Sequence, residues 1–211
     1  MELPKMKKFN RVFFAIVLIV TSHSIGYSQD RQNLAEPSGL CVKKYDIIVD
    51  GFYGYPYLGG VFFKQILIDS LGIKTDKIHN LNHFGGKVEY LVWNKIGFGL
   101  EYTYGLLNIN YLGKGGKYYK AGINKQRILL KFNFHFATSE KLDPYLTAGV
   151  GYANTRIFTN EPGIKDANIT FVPVAVRVGI GMRYFFTDMV GINMEVGLGG
   201  PLMQAGLSFK F

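Results

Sequence analysis

Apolar and polar positions alternate with a period of two over most of the second half of the chain. Met203, Ala205, Leu207, Phe209 and Phe211 alternate with Gln204, Gly206, Ser208 and Lys210. Val190, Ile192, Met194, Val196 and Leu198 alternate with Gly191, Asn193, Glu195 and Gly197, and Val172 through Tyr184 repeats the scheme around Ala175, Arg177, Gly179, Gly181 and Arg183. Successive side chains of a strand point to opposite faces, so this period predicts strands with one apolar and one polar face. The same reading places Ile128 to Phe136 against Lys131, Asn133 and His135, and Leu146 to Tyr152 against Thr147, Gly149 and Gly151. Ile96 to Tyr104 stands against Gly97, Gly99, Glu101, Thr103 and Gly105, with Val88, Tyr90 and Val92 before it. Eight strands result, near 45–56, 83–93, 96–110, 122–136, 144–158, 171–186, 189–198 and 202–211.

Most of these segments reach the roughly 9 to 11 residues that a tilted strand needs to cross a bilayer. The expected connections fall into two kinds. Asn94-Lys95, 137–143 and Thr187-Asp188 are short, 57–82, 111–121 and 159–170 are longer, and Gly199-Gly200-Pro201 is short where a long loop is expected. Short turns on one side and longer loops on the other fit an all-β, eight-stranded antiparallel up-and-down transmembrane β-barrel. A soluble barrel has the same strand count with its apolar faces turned inward. Here the other face is rich in glycine and charge, which suits a narrow lumen.

With the apolar face outward, the lumen receives Asp46, Asp50, Glu89, Glu101 and Glu195 together with Lys87, Arg127, Lys131, Arg177, Arg183 and Lys210. Charge in a low-dielectric interior is costly unless paired, so a crossed salt-bridge network is expected to fill it. Tyr53, Tyr55, Tyr102, Tyr104 and Tyr152 are expected at one rim, and Trp93, Tyr145, Phe186 and Phe211 at the other, as interfacial aromatic girdles.

Ahead of the strands, Met6-Lys7-Lys8, the apolar run Val12–Val20 and small residues at Gly26 and Ser28 have the three parts of a secretory signal peptide. The expected division is 1–28 signal peptide, 29–44 periplasmic N-terminal segment and 45–211 barrel, with Met6 an alternative start. The full chain carries +9; without residues 1–28 it has 20 basic and 14 acidic residues. These do not form a dense basic run with interleaved aromatics, so nucleic acid is not an expected partner. The single cysteine, Cys41, allows no internal disulfide, lies too far behind the apolar run for a lipoprotein anchor, and shares no zinc-site spacing with histidine. No metal or other cofactor is expected.

Gly54-Tyr55-Pro56, Asp143-Pro144-Tyr145-Leu146 with Gly149-Val150-Gly151-Tyr152, Gly179-Ile180-Gly181-Met182-Arg183-Tyr184-Phe185, and the end from Gly197 to Phe211 carry a resemblance. The layout resembles the small outer-membrane β-barrel proteins of the Bacteroidetes type, akin to OmpA-like, OmpX-like and OmpW-like barrels. The resemblance implies a Gram-negative outer-membrane location among lipid and lipopolysaccharide, recognition by the barrel assembly machinery through Phe211, and a non-enzymatic, structural or porin-like role. Two alternatives stay open. One is passive transport or binding of small hydrophobic solutes. The other is a lipid A-modifying enzyme, for which Asp69, Ser70, His79 and His83 supply acid, nucleophile and base. The apolar stretch Val61–Ile68 in the first long loop is a further candidate for an unknown ligand.

Overall fold

The structure, a computed structural model, describes residues 39–55, 75–112, 116–160, 162, 167–168 and 173–211. The expected signal peptide, the loop stretch Val61–Ile68, Asp69 and Ser70 lie outside the described residues. The strands are β1 (Ile47–Tyr55), β2 (Thr75–Trp93), β3 (Ile96–Leu112), β4 (Tyr118–His135), β5 (Leu142–Thr159), the two-residue β6 (Ala167–Asn168), β7 (Val174–Phe185), β8 (Val190–Leu198) and β9 (Met203–Lys210). Among the described residues there is no helix.

Each long strand pairs antiparallel with its neighbours in sequence, β5 pairs with β7, and β1 pairs with β9, which closes an eight-stranded barrel. β6 only adds two residues to the edge of β5, opposite Arg156 and Ile157. Closure pairs the edge of β1 with that of β9, so that open edge is left where β2 and β5 run on past their shorter neighbours. At the closing ladder, Gly51 faces Leu207 and Phe52 faces Gly206. A Cβ at Gly206 would run into the carbonyl oxygen of Gly51 and stand 2.7 Å from Phe52 Cα, so the two strands approach as closely as they do because no side chain separates them.

The strict alternation of burial along β7 and β8 realises the period of two. Ala175, Arg177, Gly181, Arg183 and Phe185 are buried, whereas Val174, Val176, Val178, Ile180, Met182 and Tyr184 are exposed. Leu130, Phe132 and Phe134 on β4, and Leu207 and Phe209 on β9, are also exposed. The barrel therefore carries its large apolar side chains outside and its charge inside, the inverse of a protein that folds around an apolar core in water.

Three strand boundaries differ from the pattern-based expectation. β2 starts at Thr75 rather than 83, because Thr75 to Leu81 continue the ladder to Tyr111 through Leu106 of β3 despite having no apolar alternation. β3 and β4 likewise run on to Leu112 and from Tyr118, leaving a connection of five residues where 111–121 was expected. His79, which falls in the expected connection 57–82, is consequently a strand residue of β2 opposite Asn108, and His83, at the expected strand start, lies well inside β2 opposite Gly105.

Replacing Gly206 by alanine is expected to overpack the β1–β9 ladder and destabilise the barrel by about 1–3 kcal/mol. Urea unfolding of the detergent-folded protein, followed by the shift between folded and unfolded bands on unheated gels, measures it.

Candidate functional site

The polar interior is organised around two side chains that each meet three charges of opposite sign. On β7, Arg183 Nη2 donates to Asp50 Oδ2 of β1 at 2.9 Å and to Glu89 Oε2 of β2 at 2.5 Å, and Nη1 donates to Asp143 Oδ2 of β5 at 3.2 Å. β7 and β2 are four strands apart around the ring, so the Arg183–Glu89 pair spans its full width. On β8, Glu195 accepts from Arg177 Nε at 2.6 Å, Lys87 Nζ at 3.1 Å and Lys131 Nζ at 3.3 Å. Lys87 links the two groups, since its ammonium also lies 3.3 Å from Asp50 Oδ2. Lys131 is further paired with Glu101 at 3.2 Å.

Every one of these side chains is at most 2% exposed, so the pairs exchange solvation for one another almost completely. Two charges taken out of water recover the loss only when their geometry is good and further hydrogen bonds occupy the remaining lone pairs. Tyr145 supplies such bonds. Its hydroxyl accepts from Lys87 Nζ at 2.7 Å and donates to Glu195 Oε2 at 3.3 Å, while the Arg183 guanidinium carbon stands 4.5 Å from the ring centroid, within cation–π range. Ser208 Oγ donates to Asp50 Oδ1 at 2.5 Å, and Thr138 Oγ1 to Asp143 Oδ1 at 3.1 Å.

His135 lies between two carboxylates, with Nδ1 2.7 Å from Asp143 Oδ1 and Nε2 3.0 Å from Glu89 Oε1. The five carboxyl groups of Asp50, Glu89, Glu101, Asp143 and Glu195 thus meet five basic side chains, Lys87, Lys131, His135, Arg177 and Arg183. Above them, Arg127 Nη2 donates to the carbonyl of Val176 at 3.3 Å, and Arg177 Nη1 donates to the carbonyl of Pro201 at 2.9 Å, in the short β8–β9 connection.

Of the residues expected in the lumen, Asp50, Lys87, Glu89, Glu101, Lys131, Arg177, Arg183 and Glu195 come together in this network, and Arg127 is buried above it. Asp46 instead lies in the turn before β1, accepting from the Lys43 N–H at 2.8 Å, and Lys210 donates from Nζ to the carbonyl oxygen of Cys41. Tyr145 corrects the expected girdle. It is fully buried, its ring lying over Gly181, whose missing side chain makes the room, while Trp93 and Phe186 are exposed. Asp143 and His135 join the network beyond the residues expected there, and both stand on the inward parity of their strands.

At the end of the barrel where β1 begins, the segment from Gly39 to Asp46 forms a floor. Cys41 and Val42 pack with Ile48, Leu91 and Phe185 in a buried apolar cluster. Cys41 N–H donates to Ser139 O at 2.7 Å, Lys44 N–H to Asn94 Oδ1 at 2.8 Å, and Tyr45 N–H to Leu91 O at 2.7 Å. Burial, with Asp143 nearby, pushes the Cys41 thiol up from its ordinary 9.0 to about 12.

His83, one residue of the candidate hydrolytic set, is buried on the inward face of β2, with Lys125 and the guanidiniums of Arg127 and Arg177 in electrostatic reach. That position turns it away from the outer surface where a lipid substrate would sit. Among the described residues no group of three or more His, Cys, Asp or Glu side chains is placed to hold a metal ion.

No family model and no curated protein matches the chain. Solved structures do. The N-terminal β-barrel domain of Pseudomonas aeruginosa OprF aligns with 81% of this chain and 100% of its own at TM-score 0.50 and 16% identity. The outer membrane protein OprG of the same organism (80% and 97%, TM-score 0.44, 14% identity) and Ail, the attachment invasion locus protein of Yersinia pestis (81% and 100%, TM-score 0.43, 11% identity), are similar at a lower level. The OprF likeness establishes a shared barrel fold.

Glu195→Gln leaves Arg177, Lys87 and Lys131 around a neutral amide, and is expected to cost about 3–5 kcal/mol in urea unfolding, as removal of one partner from a buried ion pair does. Cys41 is expected to react with a maleimide at pH 8 about a thousandfold more slowly in the folded barrel than in urea, because only the thiolate attacks and burial suppresses it. The folded rate should climb about tenfold per pH unit beyond pH 9, where an ordinary thiol levels off. Labelling at the rate of the unfolded chain would show that the floor is open.

Proposed function

We propose that this chain is a small outer-membrane β-barrel with a structural role and a lumen sealed to ions and solutes. The observation that carries the reading is the pair of hubs: Arg183 joins β7 to β1, β2 and β5, and Glu195 joins β8 to β2, β4 and β7, so opposing walls are tied through the barrel axis. An eight-stranded barrel is just wide enough for side chains to fill it, and a hydrated path would need these pairs to part. The apolar floor at Cys41 and Val42 and the arginine contacts to the β8–β9 connection close the two ends of the same axis.

Membrane insertion is supported by the outward belt. Leu100, Leu130, Val150, Val176, Val178 and Leu207 are all more than half exposed, a continuous apolar surface that water would leave unsatisfied and hydrocarbon would not. Tyr53, Tyr55 and Tyr152 border it toward the long connections, and Trp93 and Phe186 toward the short turns, matching aromatic girdles at two interfaces. A non-enzymatic role accords with a histidine that faces the lumen and carboxylates already engaged by cations.

In planar bilayers the folded protein is expected to give no steady ion steps, whereas Glu195→Gln combined with Arg183→Gln should give intermittent openings as unpaired lumen charges draw in water. Stepwise conductance by the wild-type protein, with folding verified by its gel shift, would overturn the sealed-lumen reading.

A further inference from the structure

The outward face of β3, β4 and β5 changes character partway along the strands. The cross-strand row Tyr102–Ile128–Tyr152 is apolar and aromatic, and beneath it stand Leu100, Leu130 and Val150. Above it the rows read Tyr104–Gln126–Asn154, Leu106–Asn124–Arg156, Asn108–Gly122–Phe158 and Asn110–Lys120. Two of these outward residues are cationic and none is acidic. Asn110 is six residues on from Tyr104, about 20 Å along the strand and about 14 Å along the normal of a barrel tilted by about 45°. Those rows therefore stand beside the headgroup and saccharide layer, immediately above the acyl chains.

A cleft of about 270 Å³ lies there, lined by Leu106, Asn108, Asn110, Lys120 and Phe158. Its floor is Gly122. A Cβ at that position would run into the Phe158 ring and come within 2.5 Å of Asn108 Oδ1, so the ring and the amide lie directly over bare backbone. The surround is fixed by hydrogen bonds. Lys120 N–H donates to Asn160 Oδ1 at 2.6 Å, Asn160 N–H returns a bond to Lys120 O at 3.0 Å, and Asn124 Nδ2 donates to the Tyr104 hydroxyl at 3.1 Å. The cleft opens away from the lumen, over the top of the apolar belt.

We propose that this cleft binds the phosphorylated saccharide headgroup of an outer-leaflet glycolipid. Lys120, in the cleft lining, and Arg156, at its border on the same outward face two residues along β5 from Phe158, meet the phosphate, as ammonium and guanidinium groups do with charge-assisted hydrogen bonds. The carboxamides of Asn108 and Asn110, which both donate and accept, bond the sugar hydroxyls, and Phe158 presents a ring face to the sugar's C–H groups. The acyl chains then descend along Leu100, Leu130 and Val150, each more than half exposed. A free anion or soluble sugar would use only half of this surface. The inference rests on the outer-membrane reading above, and adds to it one lipid class at one place on the wall.

The test uses the full chain folded into phosphatidylcholine nanodiscs doped with diphosphorylated lipid A. Lipid retained after exchange into mild detergent is quantified by mass spectrometry. Wild-type protein is expected to retain the phosphorylated lipid at least about tenfold better than Lys120→Gln/Arg156→Gln, two charge-assisted contacts being worth that much or more. It should retain dephosphorylated lipid A no better than the double variant retains the intact one, and millimolar inorganic phosphate should leave retention unchanged. Phe158→Ala keeps both charges and should still lose retention severalfold, which simple adsorption to a basic surface would not. Equal retention by wild type and both variants, all folded by gel shift, overturns the cleft assignment alone, and displacement by inorganic phosphate reassigns the cleft to a free anion and overturns the lipid. Failure of the wild-type chain to enter the nanodisc overturns the outer-membrane reading itself.

Discussion

Ionic groups enclosed by a ring of strands have no water to fall back on, and this constraint governs the interior of the barrel. Each carboxylate of the network has a cation within about 3.3 Å, and the two most connected groups, Arg183 and Glu195, serve three partners apiece. Pairing of that kind repays desolvation only when positions are fixed, and the hydrogen-bonded ladder around the ring fixes them. The strands hold the charges at pairing distance, and the charges in turn tie walls that share no ladder. Neither arrangement would persist in the same form without the other.

The exterior follows from the same division. With charged and polar side chains turned inward and the strands of the ring laddered to a neighbour on either side, the outer surface is left to Val, Ile, Leu, Met and Phe. Its borders are chemical as well as geometric. Tyrosines mark one limit, Trp93 and Phe186 the other, and beyond the tyrosines the wall of β3–β5 turns to amide and cationic groups.

Much of this was legible from the residues because the period of two reports on both faces at once. The strands from Ile96, Ile128, Leu146, Val174 and Val190 onward carry uninterrupted alternation, and parity alone placed Glu101, Lys131, Arg177, Arg183 and Glu195 inside. Where residue type was preferred to parity, the reading failed: Tyr145 resembles an interfacial tyrosine but shares the inward parity of Asp143 and Thr147, and its hydroxyl serves Lys87 and Glu195. The start of β2 was invisible for another reason. Thr75 to Asn80 lack a greasy face to betray a strand, and only the facing run of β3 reveals one. The floor built from Cys41 and Val42 depends on Ser139, Leu91 and Phe185, residues too distant along the chain for any local pattern to join.

The ladder between β1 and β9 joins residues such as Ile48 and Lys210, at opposite ends of the described chain. A loop that long is slow to close, and until it does, the outer strands of the unfinished sheet offer bare amides and carbonyls to any passing β-segment. Assembly therefore cannot stop at a stable half-ring. The span between the emergence of β1 and the arrival of β9 is the chain's most vulnerable interval, when an escort that occupies the first strand's free edge would matter most.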